Sequence, residues 1–182
     1  MDRNYALRRT RAQVLGGALL GDARQSVRAV RMGSWSPAGV VSHTGAAGLT
    51  LGGGMGWLSR RFGLTIDHLE AVELVTADGS LIETSPDSEP ELFWGLRGGG
   101  GNFGIATAFH FRMRNLGAVT AGTWIYGLYR ARAVLQALAD AARAAPRELT
   151  LSFNVKQAGC TVTAFTQVPL EKALDLSAPS EA

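Results

Sequence analysis

From residue 105 to residue 114 apolar and polar positions alternate. Ile105, Thr107, Phe109, Phe111 and Met113 fall on one face, and Ala106, Ala108, His110, Arg112 and Arg114 on the other. That period of two predicts a strand half buried in a sheet. Upstream, residues 71–76 and 81–84 are short runs rich in Val, Leu and Ile on either side of Ala77-Asp78-Gly79-Ser80, the signature of a hairpin. Between hairpin and strand, Pro90 suits the first turn of a helix with acidic residues at its start (Asp87, Glu89, Glu91), Leu92, Phe93 and Leu96 on its apolar face, and Gly98 as its stop. The large apolar groups expected in the core are Leu74, Leu81, Phe109 and Phe111. Further on, an alternating stretch near residues 122–129 precedes a helix at about 130–145. Its stripe is Val134, Leu135, Leu138, Ala141, Ala142 and Ala145, and Pro146 stops it. Residues 149–155 and 161–166 then read as a second hairpin, and residues 168–182 have the composition of a frayed end.

The segment from Pro37 to Gly63 fits neither period. Glycines recur through it, yet Val40, Val41, Leu49, Leu51, Met55, Trp57, Leu58 and Phe62 stand among them, so it is no polar linker. A second glycine run, residues 98–101, continues as Asn102-Phe103-Gly104. Glycine admits positive φ and lets a ligand approach the main chain, so consecutive N–H groups can form a nest for phosphate oxygens. The first cluster is expected to run into a short helix at residues 57–62, closed by Gly63, with its positive end toward the glycines. Neither cluster is a phosphate loop, because Trp57 follows Gly56 where Lys and Ser or Thr are needed. Neither has the strand and glycine spacing of a Rossmann fingerprint.

The chain is 182 residues long, 46% hydrophobic and 18% charged, the proportions of one globular domain or two partial ones. No apolar run reaches the ~18–20 residues of a membrane helix, so no membrane partner is expected. One cysteine, Cys160, excludes an internal disulfide and a thiolate zinc site, and no metal set stands out. No secretory leader pattern is present, so the expected location is cytoplasmic. The net charge of +3 is uneven: residues 1–31 carry seven Arg and two Asp, while the remainder carries eleven basic and thirteen acidic side chains. Nucleic-acid binding through this Arg-rich start is not expected, since the body is slightly acidic and aromatic interleaving is lacking.

The run from His43 through Gly45-Ala46-Ala47-Gly48-Leu49-Thr50-Leu51-Gly52-Gly53-Gly54-Met55-Gly56 to Leu69 resembles the flavin-binding core of FAD-linked oxidases of the vanillyl-alcohol oxidase superfamily. More narrowly it is similar to the berberine-bridge-enzyme-like branch. The hairpin, the helix Pro90-Glu91-Leu92-Phe93-Trp94-Gly95-Leu96-Arg97 and the block from Gly98 to Thr107 follow in that family's order, so the likeness spans residues 37–117. It implies an α+β fold, with an incomplete PCMH-type FAD-binding domain followed by the start of an α+β substrate domain. Its divisions would be an atypical Arg-rich start (1–36), the FAD-binding core (37–117) and a partial substrate domain (118–182). By position, Gly45, Gly48, Leu49, Thr50, Gly52, Gly53 and Gly56 would line the pyrophosphate and flavin, with Asn102, Gly104 and Ile105 along the cofactor from the second block. The implied activity is FAD-dependent oxidation of a small-molecule alcohol, sugar or amine, with electrons passed to dioxygen.

The chain departs from the family pattern at both attachment points. The family presents a histidine on an Arg-x-Gly-Gly-His-type turn and, in many members, a cysteine shortly after a Pro-x-Gly segment. Here no such turn occurs, and Pro37-Ala38-Gly39-Val40 is followed by Val41. FAD, if bound, is therefore expected to be non-covalent, with His43 the one nearby alternative. Residues 23–36 do not resemble the helix and loop expected there, and no catalytic base can be assigned. A catalytically inactive remnant that binds flavin or another dinucleotide is the alternative function.

Overall fold

The computed structural model describes residues 5–8, 11–22, 34–35 and 38–168. The segment at 23–33 and the end beyond 168, atypical and frayed in composition, lie outside the described residues. The chain divides into two compact units, Met1–Leu116 and Gly117–Ala182.

In the first unit five antiparallel strands run in the order β1-β2-β6-β4-β5. These are β1 (Tyr5–Arg8), β2 (Arg11–Leu15), β4 (Leu69–Val75), β5 (Leu81–Thr84) and β6 (Ile105–Arg112). A two-residue pair, β3 (Ser34–Trp35) with β7 (Arg114–Asn115), stands apart from this sheet. The strand Arg11–Leu15, from the stretch set apart by its Arg content, pairs with the central β6. The hairpin expected around Asp78-Gly79 is β4–β5, with Val75 opposite Leu81. Gly79 takes φ +84°, and Asp78 Oδ1 accepts the Ser80 N–H at 3.1 Å. The Thr76 hydroxyl and the Ser80 N–H and hydroxyl, all donating to Asp78, hold its carboxyl below the ordinary carboxylate range.

The helix at Pro90 is α3 (Pro90–Gly99), ahead of which stand α1 (Ala46–Leu51) and the single-turn α2 (Ser59–Phe62). Gly98, expected as the stop, has φ +127° and, with Arg97, leaves helical geometry. Within the segment that fits neither period, α1 is a helix, because Ala46, Thr50 and Leu51 are placed to bury one side of it. Correspondingly, the helix expected at 57–62 begins two residues later.

The core joins Val72, Leu74, Phe109 and Phe111 of the sheet to Leu51 of α1 and Phe93 and Leu96 of α3. Phe109 and Phe111 stack with ring centres 6.3 Å apart. Leu81, expected inside, is 67% exposed, and Ile105, placed on the Phe109 face, is 72% exposed. Two features of register explain both. Val75 is opposite Leu81, so Leu81 shares the outward side of Val75 and Ile82 packs inward instead. In β6 the pairing shifts between Glu73↔Ala108 and Leu74↔Ala106, leaving Thr107 as an extra residue. Its hydroxyl donates to the Glu73 carbonyl at 3.2 Å. That bulge reverses the alternation, so Ala106 packs on the core and Ile105 turns outward.

The second unit is a three-stranded antiparallel sheet, β8-β10-β9, made of β8 (Thr120–Tyr126), β9 (Leu149–Lys156) and β10 (Gly159–Thr166). The helix α4 (Ala131–Ala144) lies against β9. Cys160 is fully buried on β10. No helix among the described residues is long and apolar enough to cross a membrane.

The register predicts a contrast measurable by urea unfolding. Phe109→Ala costs about 3–5 kcal/mol, the usual range for emptying a buried phenylalanine site, whereas Leu81→Ala stays within about 0.5 kcal/mol. Equal losses would contradict the observed facing of β5.

Candidate functional site

The two glycine segments, about fifty residues apart in the chain, meet in the first unit. α1 packs against both α3 and the 3₁₀ turn Gly100–Phe103. Its entry is fixed from the other side by residues 18–21: Ala46 N–H donates to the Ala18 carbonyl (2.8 Å), Leu20 N–H to Thr44 (3.0 Å) and Gly21 N–H to Ser42 (2.8 Å). After α1 the backbone of Gly53 and Gly54 accepts from the Ile66 and Thr65 N–H groups at 3.0 and 2.9 Å, and the Thr65 hydroxyl also donates to Gly54. Asp67 links the two segments, accepting the Leu64 N–H at 2.8 Å and pairing with Arg97 of α3 at 3.6 Å.

Within this frame the glycines serve two purposes. A methyl group added at Gly45, Gly48, Gly98, Gly100 or Gly101 would meet nothing within 4 Å, so these positions present bare backbone to open space. At Gly54, Gly56 and Gly104 the added group would collide with the Thr65 side chain, the Ala38 backbone and the Val75 carbonyl respectively. There glycine is required by packing of the protein on itself. Gly53 has φ +100°, and Gly52 lies against the Gly48 carbonyl at 3.3 Å from its added carbon.

The other positions carried over from the resemblance are distributed as follows. Leu49 packs on the core. Thr50 is 1% exposed, and its hydroxyl donates to the Ala46 carbonyl at 2.7 Å, so only its backbone is available to a ligand. Asn102 is exposed, and its amide donates to the Gly99 carbonyl at 2.7 Å, holding the second turn in shape. Ile105 is exposed beside it. The run at residues 98–101 signalled this turn in the sequence. Gly98, Gly100 and Gly101, each open at the Cβ position, were not among the carried-over positions.

His43 lies exposed in the turn before α1, with Val41 also exposed. His110, on the face of β6 away from Phe109 and Phe111, is half-buried, with its Nε2 2.9 Å from Glu73 Oε1. His68 is 1% exposed, with Nε2 2.9 Å from the Phe62 carbonyl, so that nitrogen carries the proton. Its Nδ1 is buried without a hydrogen-bond partner among the described residues. Burial, followed by the nearby Arg114 and Arg112 charges, lowers its pKa below the ordinary 6.5, although the bond to Phe62 works in the opposite direction.

FAD is the group the fold implies, and these residues fit it. Gly45, Gly48, Gly98, Gly100 and Gly101 are open at the Cβ position, and Gly98 and Gly100 have positive φ, features that suit main-chain contact with a dinucleotide's diphosphate.

Residues 1–85 match the family model described as an FAD binding domain. An FAD-linked oxidoreductase of Dictyostelium discoideum is 37% identical over 151 residues, covering 82% of this chain and 33% of that protein. The (R)-6-hydroxynicotine oxidase of Paenarthrobacter nicotinovorans is 36% identical over 135 residues, 72% of this chain and 29% of its own. Among solved structures, the wild-type BBE-like 1 protein of Physcomitrella patens superposes with a TM-score of 0.89 at 26% identity, over 94% of this chain and 38% of that one. The Acremonium strictum glucooligosaccharide oxidase, described with a 6-S-cysteinyl, 8α-N1-histidyl FAD, gives a TM-score of 0.82 at 28% identity, over 97% and 38%. The chain thus spans about a third of the length of these relatives.

The lowered pKa of His68 predicts a pH dependence of stability. The unfolded chain takes up a proton near pH 6.5 that folded His68 resists, so stability is full above that pH and falls as pH decreases through the folded pKa. His68→Gln, which retains an N–H donor for Phe62 but does not titrate, should flatten the decline between pH 7 and 5 in urea unfolding. An unchanged slope would contradict the assignment.

Proposed function

We propose that this chain, which belongs to the FAD-linked oxidoreductase family of the vanillyl-alcohol oxidase superfamily, holds FAD across its two glycine segments and serves the oxidation of a small-molecule alcohol, sugar or amine, with dioxygen accepting the electrons. The observation that carries this reading is that α1, which follows Gly45 and contains Gly48, packs against the helix and turn that carry Gly98, Gly100 and Gly101, all five glycines being open at the Cβ position. Bound there, FAD would supply a two-electron acceptor, which returns its electrons to dioxygen as hydrogen peroxide. The protein's part is to bind and orient: main-chain N–H groups toward phosphate oxygens, Asn102 keeping the second turn closed, and Asp67 with Arg97 tying the two segments together.

The second unit supports the start of a substrate domain, its α4 lying against one strand of a three-stranded sheet. Substrate choice depends on side chains of such a domain, so the reading stops at substrate class. The attachment of flavin in this chain is proposed as non-covalent, because Val41 offers no nucleophile where the family pattern places its cysteine. A second reading, a flavin-binding remnant without turnover, is favoured by the same observation together with the lack of an assigned base.

Three measurements test this. Purified protein should be yellow and release peroxide on addition of an oxidisable alcohol, sugar or amine; a yellow protein without peroxide supports the remnant, and failure to bind FAD contradicts both readings. Acid precipitation of loaded protein should release its colour to the supernatant, whereas a coloured pellet would show covalent attachment, with His43 the nearby nucleophile. Finally, Gly48→Ala should leave stability unchanged or raise it by about 0.5–1 kcal/mol, because the methyl meets no atom and favours helix. The same change should weaken FAD binding at least about tenfold, about 1.4 kcal/mol, by filling cofactor space. Unaltered affinity in a folded Gly48→Ala protein would remove Gly48 from the site.

A further inference from the structure

The face of the five-stranded sheet opposite the core gathers Gln13 from β2, His110 from β6, Glu73 from β4 and Glu83 from β5. The β4–β5 register sets Glu73 directly across from Glu83. Two carboxylates facing each other across adjacent strands repel, and the ladder prevents the backbone from separating them. Gln13 Nε2 donates to Glu73 Oε1 at 3.1 Å and His110 Nε2 lies 2.9 Å from the same oxygen, so both neighbours serve Glu73. The Glu83 carboxylate has no hydrogen bond or ion pair with any described residue, and it stands exposed at the open side of the group. One ligand atom from each of Glu73, Glu83 and His110 lies within 4.8 Å of the others.

We propose that Glu73, Glu83 and His110 bind a divalent cation of the zinc class on this face. The geometry argues for it. Two ligands on one tetrahedral zinc with bonds of about 2.0–2.1 Å stand ~3.3 Å apart, close to the present separation of His110 and Glu73, and a small rotation of the exposed Glu83 side chain completes a third contact. An imidazole with two carboxylates suits zinc better than calcium or magnesium, which favour oxygen alone. The three ligands come from three strands of one sheet, so their backbone spacing is fixed before the metal arrives. A fourth position remains for water, and the Gln13 amide is near enough to hydrogen-bond the ligand Glu73. Binding would cancel the repulsion across β4–β5 and clasp three adjacent strands, stabilising the folded chain by mass action.

The test uses the full chain without an affinity tag. Zinc chloride is titrated calorimetrically, and thermal midpoints are read with and without metal. One zinc per chain and a midpoint that rises with zinc are expected. Glu83→Gln should weaken zinc binding at least tenfold while its metal-free midpoint is no lower than that of the unaltered chain, since a like-charge contact is removed. His110→Gln should lose binding similarly, and His43→Ala, remote in sequence and absent from the group, should bind as before. The proposal is overturned if the unaltered chain shows no saturable zinc binding, if Glu83→Gln and His110→Gln both bind as tightly as it does, or if His43→Ala abolishes binding.

Discussion

The packing of α1 against α3 and the turn at Gly100–Phe103 is the contact on which the rest of the first unit depends. A six-residue helix is too short to persist alone, because nucleating one turn costs more than so few hydrogen bonds return. It exists because Ala46, Thr50 and Leu51 bury one side of it, and because residues 18–21 hold its entry by backbone hydrogen bonds. Gly45 just before α1 and Gly48 within it remain exposed, so that packing brings an element with bare backbone against the second glycine turn. The candidate cofactor surface is therefore a product of tertiary structure, and loosening the core beneath it would disperse the two segments.

This explains which parts of the molecule could be read from the chain. The β6 strand, the Asp78-Gly79 hairpin, the Pro90 helix and the hairpin of the second unit all announce themselves through local periodicity and turn chemistry, and all are present. What failed was facing. Leu81 and Ile105 were assigned inward by simple alternation, yet the hairpin register directs Ile82 inward, and the Thr107 bulge reverses β6. A bulge leaves no mark in a single sequence beyond an ordinary threonine. The α1 helix was also hidden, since three glycines in or beside six residues fit no regular period.

The glycines illustrate a similar limit. Their density marked a candidate site, and their resemblance to a flavin-binding motif pointed to a ligand class, but sequence alone treats every glycine alike. Only the fold separates Gly45 and Gly48, open to a ligand, from Gly54, Gly56 and Gly104, whose missing side chains make room for Thr65, Ala38 and Val75. Conversely, the Glu73–Glu83 opposition was legible in principle, because a hairpin centred on Asp78-Gly79 places these two residues across from each other.

The most direct test of the central claim is backbone hydrogen exchange with and without saturating FAD. If the cofactor is held between the two glycine segments, amides at residues 45–50 and 98–104 slow together, while the second unit's β9–β10 hairpin is unchanged. Slowing confined to one segment, or none at either while FAD is bound, would contradict a site built from both.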